Sequence, residues 1–277
     1  MEENAGRAAA APGEEIPHFL HDPSPVVIKA LLTNRSITEK DVLVIASRRD
    51  LPGDIFETIA KERRWAESYP IRLALAKNPK TPLFAALKIA RYLRLFDLAE
   101  IVSSHSLPLV YRRKIEAIII EKIPTMPLGI KKSLARTASS GVLAAMLQDE
   151  DIDVVKICLS NPRLVEAHVF RLITRAGPRP EAVRIISEHP KWSSRYSIRL
   201  ALARNVHTPL ARAVLFFQDM KSSDLKELYA DPSVPCTVKP YIHNELMSRG
   251  SDYIEQDSDE EKIYSIGDEE QGGEDLG

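Results

Sequence analysis

Several residue spacings in this chain could carry chemistry. Asp149, Asp151 and Asp153 alternate like the first oxygen donors of a calcium-binding loop. Such a loop needs glycine at its sixth position and glutamate at its twelfth, where this chain has Val154 and Ser160. The acidic run instead suits a solvated loop and the first turn of a helix over 154–159, where carboxylates meet the positive end of the helix dipole. His18 and His21 stand three apart, a pair that arises easily by chance, and no metal site is expected there. Cys158 and Cys236 are too distant in sequence for a local metal or redox motif. Cys158 is expected to serve as a small core hydrophobe, and Cys236, after Pro235, to lie in a turn without an evident base.

Phosphate and hydrolase loops are missing. The chain contains no G-x-x-x-x-G-K-[ST], no G-x-G-x-x-G, no G-x-S-x-G and no H-E-x-x-H. No catalytic residues and no cofactor are therefore expected. Asn34-Arg35-Ser36 fits a glycosylation acceptor, but the N-terminus lacks a basic start and an apolar region of signal-peptide type. With two cysteines and no apolar run near the roughly 18 residues of a membrane span, the expected location is cytoplasmic, with no membrane partner.

Charge is the feature that rises above background. The 277 residues carry a net charge of −1, which hides a division. Residues 251–277 sum to −10 and residues 1–19 to −3, leaving 20–250 at +12, with 36 basic and 24 acidic residues. Acidic or Ala/Gly/Glu-rich segments with few apolar anchors bury too little surface to offset ordering, so 1–19 and 251–277 are expected to be disordered tails. Arg63, Arg64, Arg72 and Lys77 cluster in the body, and Arg195, Arg199 and Arg204 follow farther along. They are the candidate partner-binding residues, a stripe able to attract phosphates or an acidic protein segment. Arg72 and Arg199 sit inside otherwise apolar runs, so an internal hydrogen-bonding role competes with ligand contact.

These residues are held in a repeat. WAESYPIRLALAKNPKTP (65–82) and WSSRYSIRLALARNVHTP (192–209) agree at eleven of eighteen positions. Trp65, Tyr69, Asn78, Thr81 and Pro82 answer to Trp192, Tyr196, Asn205, Thr208 and Pro209. The 127-residue register also pairs Asn34 with Asn161, Glu39 with Glu166 and Asp97 with Asp224. A chain of two tandem modules follows, 20–148 and a truncated copy at 149–250. Within each, an apolar helix ends at Asn, turns, and gives way to another apolar helix with side chains at helical intervals. Asn is expected in the left-handed conformation at the helix end, Thr81 and Thr208 as N-caps, and Pro82 and Pro209 at the first helical position. Ser36-x-x-Glu39 has the spacing of a capping box. The predicted class is all-α, with antiparallel helix pairs in series.

The N-P-x-T-P turn at Asn78–Pro82, followed by a short apolar helix, resembles HEAT-like repeats and the bacterial leucine-rich-repeat variant over roughly residues 22–248. The resemblance implies an α-solenoid and a habit of binding partners, and supplies no active-site residues. The iron–sulfur cysteine cluster that some leucine-rich-repeat-variant proteins carry has no counterpart here. Some HEAT-like DNA glycosylases place aromatics and an acidic residue on a concave surface. Trp65/Trp192 and Tyr69/Tyr196 recur in both modules, whereas a catalytic pocket would be unique, so they are expected to anchor the packing. The resulting expectation is a non-enzymatic scaffold that binds a protein partner. Nucleic-acid binding by the +12 body, modulated by the acidic C-terminal segment, is the alternative.

Overall fold

Many helices in this chain start beside proline, and four stop at asparagine. Pro25, Pro70 and Pro180 fall in the first turn of Pro25–Thr33, Tyr69–Lys77 and Pro180–Glu188, where the missing N–H leaves no bond unmade. Pro52, Pro82 and Pro209 stand immediately before Gly53–Lys61, Leu83–Ala90 and Leu210–Gln218. Asn34, Asn78, Asn161 and Asn205 end Pro25–Thr33, Tyr69–Lys77, Ile152–Ser160 and Tyr196–Arg204. The computed structural model describes residues 2–175 and 177–250, which form twenty α-helices and a short 3-10 turn, with no strand among them. The fold is all-α. Most helices run nine residues, about two and a half turns. Helices that short are marginal in isolation, so their order comes from packing.

The packing is local along the chain. Every helix pair in substantial contact lies within three elements of its partner. The buried apolar side chains nevertheless join into one cluster from Ala8 to Leu246. Each helix contributes a narrow stripe, such as Ile71, Leu75 and Ala76 from Tyr69–Lys77, and Ala86, Ile89 and Ala90 from Leu83–Ala90. The next half repeats that choice with Ile198, Leu202 and Ala203, then Ala213, Phe216 and Phe217. Helix bounds recur 127 residues apart: Glu39–Ser47 with Glu166–Thr174, Arg63–Ala66 with Pro190–Ser193, and Leu95–Ser103 with Ser222–Ala230.

The turns depart from expectation in conformation while keeping their chemistry. Asn78 is extended, at φ −88° and ψ 120°, as are Asn34, Asn161 and Asn205. Extended backbone aims the amide across the layer. Asn78 Nδ2 donates to the carbonyls of Ala46 (2.8 Å) and Arg48 (2.6 Å) in the preceding layer, and its Oδ1 accepts from the Lys80 amide at 2.9 Å. Asn161 does the same with Ala135, Arg136 and Arg163. Thr81 and Thr208 do not cap the following helix. Their hydroxyls donate backwards at 2.7 Å to the carbonyls of Leu75 and Leu202, satisfying helix ends that lack intrahelical partners. Pro82 and Pro209 fall one residue ahead of the first helical position. The capping box is Thr38 with Asp41, two residues later than Ser36 and Glu39.

Residues 2–19 also depart from the expected disorder. Glu2–Ala10 is a helix packed on Pro25–Thr33, with Ala8, Ala11, Ile16 and Phe19 buried. Asn34 Nδ2 donates to the carbonyls of Ala8 and Ala11, both at 2.9 Å. Alanine is the best helix former, and its small side chain lets this helix sit close against the next. Counting large apolar anchors alone undervalued it. The acidic segment 251–277 lies outside the described residues.

Candidate partner-docking groove

The seven candidate cations divide sharply by what they touch. Lys77 Nζ pairs with Glu100 at 2.7 Å, and in-register Arg204 pairs with Glu227 at 2.5 Å and Asp231 at 3.3 Å. Arg199 pairs with Asp219 at 2.8 Å and donates to the Ser194 carbonyl. Arg195 stands 4.0 Å from Glu166. Arg64 donates to the Ile37 carbonyl at 3.2 Å and lies over the Trp65 ring. Arg72 donates to the Ala66 carbonyl and stacks on Tyr92, 5.3 Å from the ring centre. Arg63 is exposed and makes no ion pair among the described residues.

The repeated aromatics hold layers together. Trp65 and Trp192 are buried, and Trp192 Nε1 donates to the Leu159 carbonyl at 2.8 Å. Tyr69 donates its hydroxyl to Asp97 and accepts from the Arg94 amide at 3.1 Å. Tyr196 repeats both contacts with Asp224 and the Lys221 amide. Burial, followed by the hydrogen bond to the carboxylate, holds each phenol above its ordinary pKa. Burial likewise pushes the Cys158 thiol up to about 12, with Asp149 adding to the shift. Such a thiol packs and does not react. Asp151 caps Ile152–Ser160, accepting from Asp153 N and Val154 N. Asp149 is buried against Lys131 at 2.8 Å, not solvated.

A groove of about 670 Å³ opens where helices Gly53–Lys61, Arg63–Ala66 and Leu83–Ala90 meet. Gly53 sets the spacing, because a Cβ there would fall 2.8 Å from the Lys80 carbonyl. The wall supplied by Leu83–Ala90 turns Ala86, Ile89 and Ala90 inward, which leaves Phe84 and Lys88, four apart, on the open side. Phe84 is 83% exposed and Tyr92, just past the helix, 64%. Ala60, Ala66 and Ala85, with Ile89, give the lining an apolar floor. Around it stand Arg63, Arg72 and Lys88, none in an ion pair among the described residues, and Arg91, next to Tyr92 in sequence, is in the same condition. Of the carboxylates lining the groove, Glu57 is paired with Lys61 at 2.7 Å, and Glu67 makes no ion pair among the described residues.

The in-register position in the second half is built differently. Phe84, Lys88 and Tyr92 answer to Ala211, Leu215 and Asp219, and Arg63 answers to Pro190. Asp219 neutralises Arg199 there, while Tyr92 leaves the charge of Arg72 standing. A second hollow, about 430 Å³ beside Phe170 and Val206, has Arg204 in its lining, but Glu227 and Asp231 already hold that guanidinium. Sequence reasoning missed Phe84, Lys88, Arg91 and Tyr92. The available signal was their failure to recur. No protein-family model, curated protein or solved structure matches this chain.

Proposed function

We propose that the chain is a non-enzymatic α-solenoid scaffold, HEAT-like in plan, that docks a protein partner in the Phe84–Tyr92 groove. Two tandem copies of a unit of about 127 residues account for the recurring helix bounds, the Lys77–Glu100 and Arg204–Glu227 pairs, and the Tyr69–Asp97 and Tyr196–Asp224 bonds. Contacts confined to near neighbours, together with a core cluster that runs the length of the helices, support a stack. The register reaches the N-terminus: Ala8 and Ala135 accept equivalent asparagine bonds from Asn34 and Asn161. The copies therefore meet near residue 127 and not at 148. No helix among the described residues is long and apolar enough to cross a membrane, and a cytoplasmic site of action is part of the proposal.

One observation carries the docking reading. Two large aromatics stand in solvent beside cations that make no ion pair among the described residues, at a place where the second copy has neither aromatic. Surfaces of stable proteins rarely group apolar rings this way without a use. Aromatic and arginine side chains dominate binding energy at protein interfaces. Nucleic-acid binding, which the +12 body would favour, calls for a charged track along the stack. The second copy breaks that track with Asp219 and Leu215. The test is purification of the full chain from its own cells. A stoichiometric protein partner that is lost from the Phe84→Ala/Tyr92→Asp variant supports docking here. Retention of that partner by the variant refutes the groove as the site.

A further inference from the structure

Resting on that docking reading, we infer that the groove's occupant is an acidic linear segment of another protein, anchored by one aromatic or branched apolar side chain between Phe84 and Tyr92. Charge complementarity sets the first requirement. Arg63, Arg72, Lys88 and Arg91 face or flank the groove without ion-pair partners, against Glu67 as the one lining carboxylate outside an ion pair among the described residues. The floor sets the second. Ala60, Ala66 and Ala85, with Ile89, make part of the lining apolar, which suits an apolar side chain. The third argument is the internal comparison. At Arg199 the second copy supplies its own carboxylate, Asp219, 2.8 Å away. At Arg72 that carboxylate is replaced by Tyr92, so the groove stands ready for a carboxylate from outside. A nucleic acid would also meet rings and cations, but the flanking Ala floor offers no donors or acceptors for base edges, and the charged site is confined to one place on the stack.

The experiment uses fluorescence anisotropy on the full chain. The probe is a labelled peptide with oligo-glutamate arms around a Tyr-Ser-Ile centre, and the control peptide has an all-serine centre. Oligo-thymidylate of equal length is the third arm. The expected result is binding of the first peptide, weakened roughly tenfold or more by the serine centre and by Phe84→Ala/Tyr92→Asp. This variant takes its residues from the second copy, where the same backbone already accepts Ala211 and Asp219, and Phe84 buries little, so folding is preserved. Lys88→Glu, at an exposed position, is the second variant and is expected to weaken both acidic peptides, since they share the glutamate arms; unchanged affinity would remove charge complementarity from the inference. Equal affinity for both peptides means charge alone binds, and overturns the inference. Tighter binding of oligo-thymidylate, lost in the same variants, overturns it in favour of a nucleic acid. Binding that appears only once residues 251–277 are removed makes the chain's own acidic segment the occupant, and overturns a partner in trans. If the peptide fails to bind while the variant still loses its cellular partner, the acidic class falls and the docking reading survives.

Discussion

Replacing Asn78 tests whether the asparagines clamp one layer to the next. The side chain is 6% exposed and makes three bonds: Nδ2 to Ala46 O at 2.8 Å, Nδ2 to Arg48 O at 2.6 Å, and Lys80 N to Oδ1 at 2.9 Å. Asn78→Ala strands all three backbone groups. At about 1 kcal/mol net for each bond, with more where the abandoned group stays dry, the expected loss is about 2–4 kcal/mol. For a chain of this size that lowers the melting temperature by roughly 4–8 °C. Asn78→Asp keeps the acceptor for Lys80 but turns a second oxygen toward two carbonyls. Its carboxyl pKa is driven above the usual value of about 3.9, because the folded site favours the protonated form. A carboxyl whose folded pKa is raised destabilises at neutral pH and recovers as the pH falls toward that pKa.

Thermal and urea unfolding, followed by circular dichroism, supply the global reading. Amide exchange at Lys80 supplies a local one that does not depend on two-state behaviour. Exchange at Lys80 should accelerate in Asn78→Ala and stay slow in Asn78→Asp, although the second variant is the less stable at pH 7. Asn161→Ala, with bonds of 2.8, 3.0 and 2.8 Å to the equivalent partners, should cost the same within about 1 kcal/mol. A loss below about 0.5 kcal/mol in both alanine variants, or Asn78→Asp unaffected by pH, would refute the clamp.

Two further outcomes follow from the same geometry. Tyr69→Phe and Tyr196→Phe each remove a hydroxyl that donates to a carboxylate and accepts an amide, so each should cost about 1–2 kcal/mol, and the double variant should show the sum, because the sites share no partner. Unequal losses, or coupling well beyond additivity in urea denaturation, would deny them equivalent roles. His189 Nδ1 accepts from Lys191 N at 3.2 Å, and burial, then the Lys191 charge, hold the imidazole below its ordinary pKa near 6.5. A depressed histidine contributes stability that is complete above the unfolded value and is lost as the pH falls below it. Wild type should therefore lose more melting temperature between pH 7.5 and 5 than His189→Asn, which caps without titrating; identical losses would discount the group.

The all-α class was legible because its signals are local. Proline beside helix starts, asparagine at their ends and apolar residues at helical intervals each act within a few residues. Trp65, Tyr69 and their counterparts stood out for a second reason, recurrence in register, and both tryptophans are buried. Conformation at the turn was less so. An asparagine after a helix is compatible with left-handed and extended backbone alike, and the choice is made by Ala46 and Arg48, more than thirty positions back for Ala46, whose carbonyls await a donor. Thr81 reads as a cap for the helix ahead of it, yet the Leu75 carbonyl behind it has the stronger claim. The N-terminal helix was hidden by composition, since Ala8 and Ala11 count as weak anchors until a neighbouring helix comes close enough to cover them. The groove was hidden because Phe84, Lys88 and Tyr92 do not recur: Ala211, Leu215 and Asp219 stand at the in-register positions.

Packing and surface chemistry separate where residues 127 positions apart differ. Arg72 and Arg199 occupy the same place on the same helix, and both donate to a backbone carbonyl of the turn before it. They differ in what faces the rest of the guanidinium. Asp219 is 72% exposed, so its pair with Arg199 adds at most about 1 kcal/mol. A stack on Tyr92 at an exposed site adds about 0.5–1 kcal/mol. The two solutions are close in stability, and folding gives little reason to prefer either. They are far apart in electrostatics: one cancels a charge and the other leaves it beside an apolar ring. Stability is indifferent here and the outward field is not, and under the proposed docking the difference between the two in-register positions falls together with Phe84, Lys88 and Arg63 on a single groove.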